Sequence, residues 1–399
     1  MSLELSRKAQ SVKPSSTLAI TARAKALKAE GIDVVGFGAG EPDFNTPQHI
    51  CDAAVRALQE GYTKYTPASG SVELRKAISK KFKEFNGLDY APSQIVVSNG
   101  GKHSLTNIFT AILNPGDEVV IPAPYWLSYP EMVKLADGVP VYAHASQENG
   151  FKVTAKDIEA VLTPKTKALV INTPSNPTGM IYSRQELQEI ADLAVARDFY
   201  VVADEMYEYL IYDGEEHVSI ASLGDEIYKR TITCSGLSKG YAMTGWRVGY
   251  TGSTEEIAKL MGAVQSHQTS NVNSIAQKAA VEALNGPQES VAQMREEFDK
   301  RRRYIYERLC RMPLLSVREP KGAFYVFVNT EKALAKKYKG RPVETTANLG
   351  EILINDYHVA VVPCADFGFP AYVRLSYAIS MEQIAKGLDR IEQFLGDLE

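Results

Sequence analysis

The sequence contains little cysteine and no cysteines in a close pair. Its 399 residues include four, which lie far apart at Cys51, Cys234, Cys310 and Cys364. A disulfide framework or a zinc site needs cysteines at short, paired spacings. The sequence therefore predicts free, buried thiols and no resident metal.

Long apolar runs and an excess of positive charge are also missing. The amino terminus MSLELSRKAQSVKP lacks the apolar centre of a signal peptide, and no later run approaches the roughly 18 apolar residues of a membrane span. The formal net charge is -4, whereas binding to a nucleic-acid backbone needs clustered positive charge. We therefore expect a cytoplasmic protein that binds neither a membrane nor nucleic acid.

Apolar segments of strand length alternate with amphipathic segments through the middle of the chain. Each is uninterrupted, as in a parallel sheet that is buried on both faces. Helical segments lie between them, and one opens with the capping box Ser183-x-x-Glu186. An earlier helix is expected to have Thr46 as its N-cap and Pro47 as its first residue. The pattern predicts an α/β fold, with strands near residues 95–98, 118–121, 168–172, 200–203, 231–234 and 247–251.

The pattern changes after residue 287, where a long charged helix is followed by two short strands. A last helix is predicted to begin at the capping box Ser380-x-x-Gln383. The length of the chain fits two domains. We expect a large domain at 47–290, and a smaller α+β domain built from 291–399 together with 1–46, which form an N-terminal arm. A helix in this arm, near residues 18–30, is expected to pack against the smaller domain.

Small, polar and aromatic residues follow the apolar runs. Ligands bind beyond the carboxyl ends of the strands in an open α/β sheet, so these residues are expected to lie close together. The set offers side-chain-free positions, an aromatic plate, an amide, a carboxylate, a phenol and an amine, which suits a flat, phosphorylated, carbonyl-bearing cofactor. Its members are Gly100, Gly101, Trp126, Asn176, Asp204, Tyr207 and Lys239.

Each of these signals has an ordinary structural alternative when it is taken alone. The pair Gly100-Gly101 at a helix start attracts an anion, but such glycines also serve as steric punctuation. Asp204 at a strand end is often only an N-cap. Nucleotide motifs do not match, because GFGAGE at Gly36 lacks the last glycine of G-x-G-x-x-G and Lys102 is not in P-loop spacing.

Lys239 has an unusual sequence environment. It stands in CSGLSKGYAMTGWRVGY, which contains no carboxylate, and this setting suits a lysine that is held neutral or covalently modified. An aspartate beside a pyridine nitrogen and a lysine in a Schiff base are the marks of pyridoxal phosphate enzymes. Asp204 and Lys239 are the candidates for these two roles.

Taken together, the motifs resemble those of the class I aminotransferases of fold type I, in particular the aspartate aminotransferases. Residues 236–249 match the lysine-attachment pattern, and GEPDF, KYTPASG, GGK, PYW, NPTG, DEMY and RLSYA occur in the family's order over nearly the whole chain. The resemblance implies a mainly parallel seven-stranded sheet between helices, a smaller α+β domain, pyridoxal 5'-phosphate as cofactor, and a homodimer with shared active sites.

The resemblance also implies a role for each matching residue. Lys239 is the Schiff-base lysine, Asp204 pairs with the pyridine nitrogen, and Tyr207 and Asn176 bond the 3-oxygen. Trp126 stacks on the ring and borders the substrate. The phosphate is surrounded by Gly100, Gly101, Lys102, Ser238 and Arg247, and by Tyr65 from the other subunit.

Substrate recognition is predicted from a second set of residues. Arg374 is expected to bind the α-carboxylate beside Gly40 and Asn176, because a planar guanidinium matches a carboxylate with two hydrogen bonds. An arginine in such a strand is otherwise a surface cation. The segment 265–277 lacks the arginine that many aspartate aminotransferases use for the distal carboxylate. The chain instead resembles a bacterial subgroup with KPSxT and GGK motifs, which makes Ser15, Thr17 and Lys102 the candidates.

The implied reaction is the ping-pong transfer of the amino group of L-aspartate to 2-oxoglutarate. Aromatic, alanine-like or prephenate substrates are alternatives on the same fold, as are β-elimination and decarboxylation. A cofactor-sensing regulator is a further alternative, but such a protein carries an additional DNA-binding module.

Overall fold

The structure of this chain is a computed structural model that describes residues 3–399. Short 3-10 turns lie at Pro92–Gln94, Ile220–Leu223, Thr244–Trp246 and Ala365–Phe367. The α-helices are α1 (Arg7–Gln10), α2 (Ser16–Ala29), α3 (Gln48–Gln59), α4 (Val72–Asn86), α5 (Gly101–Ile112), α6 (Ser128–Leu135), α7 (Ala155–Glu159), α8 (Arg184–Arg197), α9 (Asp225–Arg230), α10 (Glu255–Gln268), α11 (Ser274–Asn285), α12 (Glu289–Cys310), α13 (Glu331–Leu334), α14 (Thr346–Asp356) and α15 (Met381–Gly396). The strands are β1 (Val35–Gly36), β2 (Ile95–Ser98), β3 (Glu118–Ala123), β4 (Val139–His144), β5 (Thr166–Asn172), β6 (Tyr200–Asp204), β7 (Thr231–Gly236), β8 (Gly249–Gly252), β9 (Ser316–Val317), β10 (Tyr325–Asn329), β11 (Lys337–Tyr338), β12 (Arg341–Pro342), β13 (Val359–Ala360), β14 (Val362–Pro363) and β15 (Tyr372–Ser376).

Within residues 3–399, the largest sheet has seven strands in the order β2-β8-β7-β6-β5-β3-β4. Neighbouring strands are parallel except that β8 runs antiparallel to both β2 and β7. The predicted mainly parallel sheet is therefore confirmed. The strand expected at 247–251 begins only at Gly249, because Arg247 adopts a left-handed conformation with φ +56°.

Helices cover both faces of this sheet, as its continuous apolar strands require. On one face Phe109 of α5, Val133 of α6 and Met261 of α10 pack into a shared core with the strands. On the other face Leu187 and Ile190 of α8 do the same. The layers leave the carboxyl ends of the parallel strands free of helices, where loops gather.

A second, four-stranded sheet is built from the carboxyl-terminal part of the chain. Its order is β14-β15-β10-β9, all antiparallel, and α12 and α15 pack beside it. As expected, α2 packs on this side, where Ala24 meets Val34 and Ala360. Helix α1 instead contacts α6, and Lys8 Nζ lies 2.7 Å from Asp137 Oδ2. The domain limits at 47–290 and 291–399 stay predictions.

The helix boundaries follow the predicted caps only in part. The box at Ser183 and Glu186 is complete, and Ser380 accepts a hydrogen bond from the N–H of Gln383. The prediction for Thr46 is wrong, because α3 starts one residue later with Pro47 as its N-cap. The Thr46 hydroxyl accepts from the indole N–H of Trp246 at 2.9 Å and donates to the carbonyl of Ala242, so it binds the loop before β8 instead of the helix.

The sequence led to two expectations about the whole chain, namely buried free thiols and the absence of a membrane span. All four cysteines are unpaired, and Cys234 and Cys364 are buried, but Cys310 is exposed and Cys51 is only partly buried. The prediction of buried thiols is thus wrong for Cys310, which lies at the end of a largely polar helix. No helix among residues 3–399 combines the length and apolarity needed to cross a bilayer.

A buried cluster of charged side chains anchors the loop that follows β6. The ammonium of Lys81 donates to Glu208, and the Asn86 amide donates to Glu205 and Glu208 at 3.0 and 2.8 Å. Burial raises the pKa of Glu208, but Lys81 outweighs this effect and the net shift is downward. His217 lies 2.9 Å from Glu205, and although burial opposes it, this carboxylate raises the pKa of the imidazole. Glu205, Glu208 and His217 have ligand atoms within 4.8 Å of one another, with the Lys81 ammonium against Glu208 and the His217 imidazole against Glu205.

Replacement of Lys81 by Met should lower the free energy of unfolding by about 3 to 5 kcal/mol, because it removes the ammonium that is in direct contact with the buried Glu208. Lys80→Met is the matched control. Lys80 is exposed on the same helix and lies 4.0 Å from an exposed Glu84, so this change should cost less than about 0.5 kcal/mol. Urea unfolding of both variants measures the difference, and equal stabilities would show that the buried cluster contributes nothing.

Candidate active site

The loops that follow the parallel strands carry the residues singled out in the sequence. Asp204 is the last residue of β6, and its strand pairing places it beside Asn172 of β5 and Cys234 of β7. Lys239 lies on the turn that follows β7, and Asn176 on the loop after β5. Because these strands are parallel, their carboxyl ends meet at one edge and bring the side chains together.

The Asp204 carboxylate is buried and held by two donors. The Tyr129 hydroxyl donates to its Oδ2 at 2.6 Å, and the N–H of Met206 donates to its Oδ1 at 3.1 Å. Burial raises the pKa of Asp204 to about 6, against the lowering effect of these hydrogen bonds. No helix follows this residue, so its alternative role as the N-cap of a helix is excluded. A cationic partner would stabilise the ionised form of this buried carboxylate.

Lys239 is half-buried, and its ammonium donates to the carbonyl of Gly40. Burial lowers the pKa of Lys239 to about 8, partly offset by the carboxylate of Glu41. The neighbouring cations Arg374 and Arg247 act in the same direction as burial. A lysine in this state releases its proton readily and becomes a nucleophile or a base near neutral pH.

Tyr207 is buried three residues after Asp204, with its hydroxyl 2.9 Å from that of Tyr325. Burial raises the pKa of Tyr207 well above that of a free tyrosine, and Tyr325 adds to the effect. The phenol therefore stays protonated and can donate one hydrogen bond.

Arg374 is fully buried on β15, with 2% of its surface exposed, which excludes its alternative reading as a surface cation. Its Nη1 donates to Asn176 Oδ1 at 2.9 Å, and its Nη2 donates to the carbonyl of Gly38 at 3.2 Å. The Nε–H is buried and has no partner among the described residues. A buried cation with an unsatisfied donor destabilises the fold unless an anion accepts a hydrogen bond from it. The site is thus prepared for a carboxylate.

The predicted phosphate site lies at the start of α5. Gly100 has φ +85°, a conformation that favours glycine, and a side chain there would collide with the guanidinium of Arg247. Arg247 is exposed and donates to the carbonyls of Thr244 and Asn99 at 2.9 and 3.4 Å. The first N–H groups of a helix have no partner within it and attract an anion. Gly101 begins this helix, and Ser238 is buried on the turn before Lys239.

An aromatic plate stands on the loop after β3. Trp126 meets Tyr129 edge to face with ring centroids 5.4 Å apart, so it is linked to the tyrosine that holds Asp204. The ammonium of Lys102 lies 5.0 Å from the Trp126 ring centroid. Burial and the nearby Arg247 both lower the pKa of Lys102.

Of the remaining predicted residues, Ser15 and Thr17 lie at the start of α2, and Tyr65 lies elsewhere on the surface. Ser15 caps α2 by accepting from the N–H of Leu18, and the Thr17 hydroxyl is buried without a partner in the described chain. Helix α2 lies against Gly38, since a side chain added there would lie 3.6 Å from the Thr21 hydroxyl. Tyr65 is 91% exposed and is not brought to the site of its own chain.

Two residues of the site were not predicted from the sequence. Tyr129 and Tyr325 both hydrogen-bond to predicted residues, but neither lies in a motif with a chemical signature. Tyr129 follows Trp126 at a spacing of three, which is the available signal for a shared helical face. Tyr325 reaches Tyr207 from another sheet, so the sequence offered no such signal.

Comparison with known proteins places this geometry in one family. Residues 32–391 match the family model described as aminotransferase class I and II. The chain is 49% identical to an aspartate aminotransferase of Bacillus sp. strain YM-2 and 46% identical to a probable aspartate/prephenate aminotransferase of Aquifex aeolicus. These alignments cover 98% and 99% of this chain, and 99% of each relative.

A solved structure agrees with these sequence relatives. The aspartate aminotransferase of Thermus thermophilus with maleate superimposes with a TM-score of 0.93 at 43% identity, over 98% of this chain and all of that one. Matches of this identity and coverage concern the whole chain and not a shared fold alone. The chain therefore belongs to the class I and II aminotransferases.

Proposed function

We propose that this aminotransferase uses L-aspartate as amino donor and 2-oxoglutarate as acceptor, in a ping-pong reaction. The main support is the buried Arg374, which donates to Asn176 and whose Nε–H has no partner within residues 3–399. Lys239 and Asp204 lie in the same site. An amino acid supplies the carboxylate that Arg374 lacks. The named relatives are aspartate aminotransferases, which supports the same donor.

The family uses pyridoxal phosphate, and the residues present fit this group. Asp204 is a buried carboxylate with two hydrogen bonds and, in the part of the chain that the structure describes, no counter-cation in contact, which suits a protonated ring nitrogen. Gly100 precedes the first residue of α5 and lies against the Arg247 guanidinium, so a helix start and a cation stand side by side for a phosphate. Lys239 carries the amine for covalent attachment, and its lowered pKa favours that reaction.

The bound cofactor supplies an electron sink for the electrons of the substrate's Cα–H bond. Arg374 binds the α-carboxylate and so fixes where the Cα proton points. The Lys239 amine would accept this proton and deliver it to C4′ of the bound cofactor. Asp204 would hold a negative charge beside the ring nitrogen, Tyr207 would donate to the 3-oxygen, and Trp126 would stack on the ring.

The distal carboxylate of aspartate needs a second cation or set of donors. Lys102 offers an ammonium that is held over Trp126. The Thr17 hydroxyl is buried and unpaired among the described residues. Ser15 already accepts a hydrogen bond as an N-cap, but its own proton remains free to be donated. These three residues are the proposed distal site.

The test of donor specificity is a half-reaction with single amino acids. The protein is loaded with pyridoxal phosphate, and the cofactor absorbance is followed as each amino acid is added. Aspartate and glutamate should convert the cofactor fastest. Faster conversion by phenylalanine or alanine would overturn the aspartate assignment, and the same assay with prephenate as amino acceptor tests the activity named for the Aquifex relative.

Lys102→Met should reduce kcat/KM for aspartate by about 10- to 150-fold, because a charge-assisted hydrogen bond contributes roughly 1.5 to 3 kcal/mol. Turnover of phenylalanine or alanine should change little, since these substrates have no distal anion. Lys167→Met is the control, because Lys167 also lies over an aromatic ring but at the opposite end of β5. Equal losses for every substrate would assign Lys102 to the cofactor or the fold.

We include in this proposal a homodimer with shared sites. The exposed Tyr65 supports it, since a tyrosine that is 91% exposed in the single chain is available to a partner's phosphate site. Val55, Leu58 and Val72 are also exposed apolar residues on α3 and α4, which suits a buried interface. A cytoplasmic location completes the proposal, and unpaired cysteines are typical of that compartment.

A further inference from the structure

The side chain of Tyr325 lies where three parts of the site meet. Its hydroxyl is 2.9 Å from that of Tyr207, and its ring centroid is 4.3 Å from the guanidinium carbon of Arg374. A side-chain carbon built on Gly40 would lie 3.6 Å from the same hydroxyl. Only 1% of the surface of Tyr325 is exposed. Its ring and hydroxyl therefore interact with the residues of the site and not with bulk solvent.

The second sheet fixes this placement. Strands β10 and β15 are antiparallel, with Phe327 opposite Arg374 and Tyr325 opposite Ser376. Tyr325 and Phe327 point to the same face because they are two residues apart. Tyr325 is therefore a diagonal neighbour of Arg374, within reach of a long side chain. Both residues are held by strand backbones and not by a mobile loop.

The ring of Tyr325 limits the orientations of the Arg374 guanidinium. Asn176 and Gly38 accept from its two terminal nitrogens, and the aromatic face lies against its plane. A cation over an aromatic face is attracted by the ring electrons. The edge that carries Nε–H is then left for a carboxylate.

The hydroxyl of Tyr325 acts on the other end of the site. A tyrosine has one hydroxyl proton to donate. Tyr207 can therefore donate to a ligand only if Tyr325 is the donor in the hydrogen bond between the two hydroxyls. Burial raises the pKa of Tyr325, while the charge of Arg374 opposes this rise. Arg374 thus makes the Tyr325 hydroxyl a better donor than burial alone would allow.

We propose that Tyr325 is a positioning residue that couples the carboxylate site at Arg374 to the hydrogen bond made by Tyr207. Its ring holds the guanidinium, and its hydroxyl directs the proton of Tyr207 toward the cofactor's 3-oxygen. A carboxylate bound to Arg374 reduces the positive charge beside Tyr325 and so weakens this hydrogen-bond chain. The inference rests on the proposed function, since it assigns Arg374 to the substrate and Tyr207 to the cofactor.

Two variants of the cofactor-loaded enzyme separate the roles of the ring and the hydroxyl. Tyr325→Phe keeps the ring and removes the hydroxyl, whereas Tyr325→Leu removes both. Tyr377→Phe is the matched control, because Tyr377 is fully buried and its hydroxyl donates to the carbonyl of Ala323 at 3.1 Å. The readouts are the pH titration of cofactor absorbance, the dissociation constant of unreactive succinate, and the separate values of kcat and KM.

In Tyr325→Phe the pH midpoint of the cofactor absorbance should rise by about 0.5 to 1 pH unit, because a neutral hydrogen bond that favours the anionic 3-oxygen is weakened. Succinate binding and the KM for aspartate should stay within about two-fold. The charged groups that face this pair, Arg374, Asp204 and Lys239, are unchanged. In Tyr325→Leu the midpoint should rise similarly, and succinate should bind about 10-fold more weakly.

The coupling is overturned if Tyr325→Phe titrates like Tyr377→Phe, or if Tyr325→Leu binds succinate like the wild type. Tyr325→Phe alone decides the question if the leucine variant does not fold. Failure of the proposed function looks different, because the wild-type enzyme would then lack the pH-dependent absorbance or would not convert aspartate.

Discussion

Lys239→Ala should lower turnover of aspartate by about four to six orders of magnitude, since the change removes both the proposed attachment point of the cofactor and the proposed base for the Cα proton. The lysine is placed for both roles, with its amine at the carbonyl of Gly40 and its pKa lowered to about 8 by burial. Steady-state assays with aspartate and 2-oxoglutarate measure the loss.

The control for this variant is the binding of the cofactor without turnover. Asp204, Arg247 and the start of α5 are untouched, so Lys239→Ala should still bind pyridoxal phosphate, as followed by equilibrium dialysis. Activity within 10-fold of the wild type would show that another amine performs the reaction. Lys102 is the other lysine among the proposed cofactor residues.

Asp204→Asn should lower kcat by about 100- to 1,000-fold or more, because the amide keeps the shape of the side chain and removes the charge proposed to hold the ring nitrogen protonated. The carboxylate has no counter-cation in contact within the described chain, and its two hydrogen bonds come from Tyr129 and Met206. Near-normal turnover by this variant would exclude the assigned role.

The pH dependence of stability gives Asp204→Asn an independent control. The pKa of Asp204 is about 6 in the folded protein and about 3.9 in an unfolded chain. A group with a raised pKa stabilises the fold below its unfolded pKa, and this contribution is lost as the pH rises through the folded pKa. The wild-type apoprotein should therefore lose about 3 kcal/mol relative to Asp204→Asn between about pH 4 and pH 6. Parallel curves would show that this carboxylate is not buried.

The strands of the large sheet could be predicted because each is a short apolar run that ends at a polar or small residue. The edge strand β4 was not found, since Val139 is exposed and Pro140 interrupts the pattern. The reversed direction of β8 also has no local signal. It depends on the left-handed turn at Arg247, a residue type that seldom adopts this conformation.

The sequence could predict that Asp204, Asn176 and Lys239 lie close together, because parallel strands bring their carboxyl ends to one edge whatever the order of the strands. Tyr325 and Tyr129 were missed because their roles depend on contacts across the fold. Tyr325 is 118 residues from Tyr207 along the chain, and Tyr129 is 75 from Asp204. The buried ion pair of Lys81 with Glu208 could not be predicted either, because a lysine in a helix usually indicates a solvated face.

The most direct test of this account is the site of covalent attachment. The enzyme loaded with pyridoxal phosphate is reduced with borohydride, digested, and its peptides are mapped by mass spectrometry. We expect a pyridoxyl group on Lys239, in the peptide that contains GLSKGYAM, and no stoichiometric label elsewhere. A label on Lys102, or no label on a protein that retains activity, would contradict it.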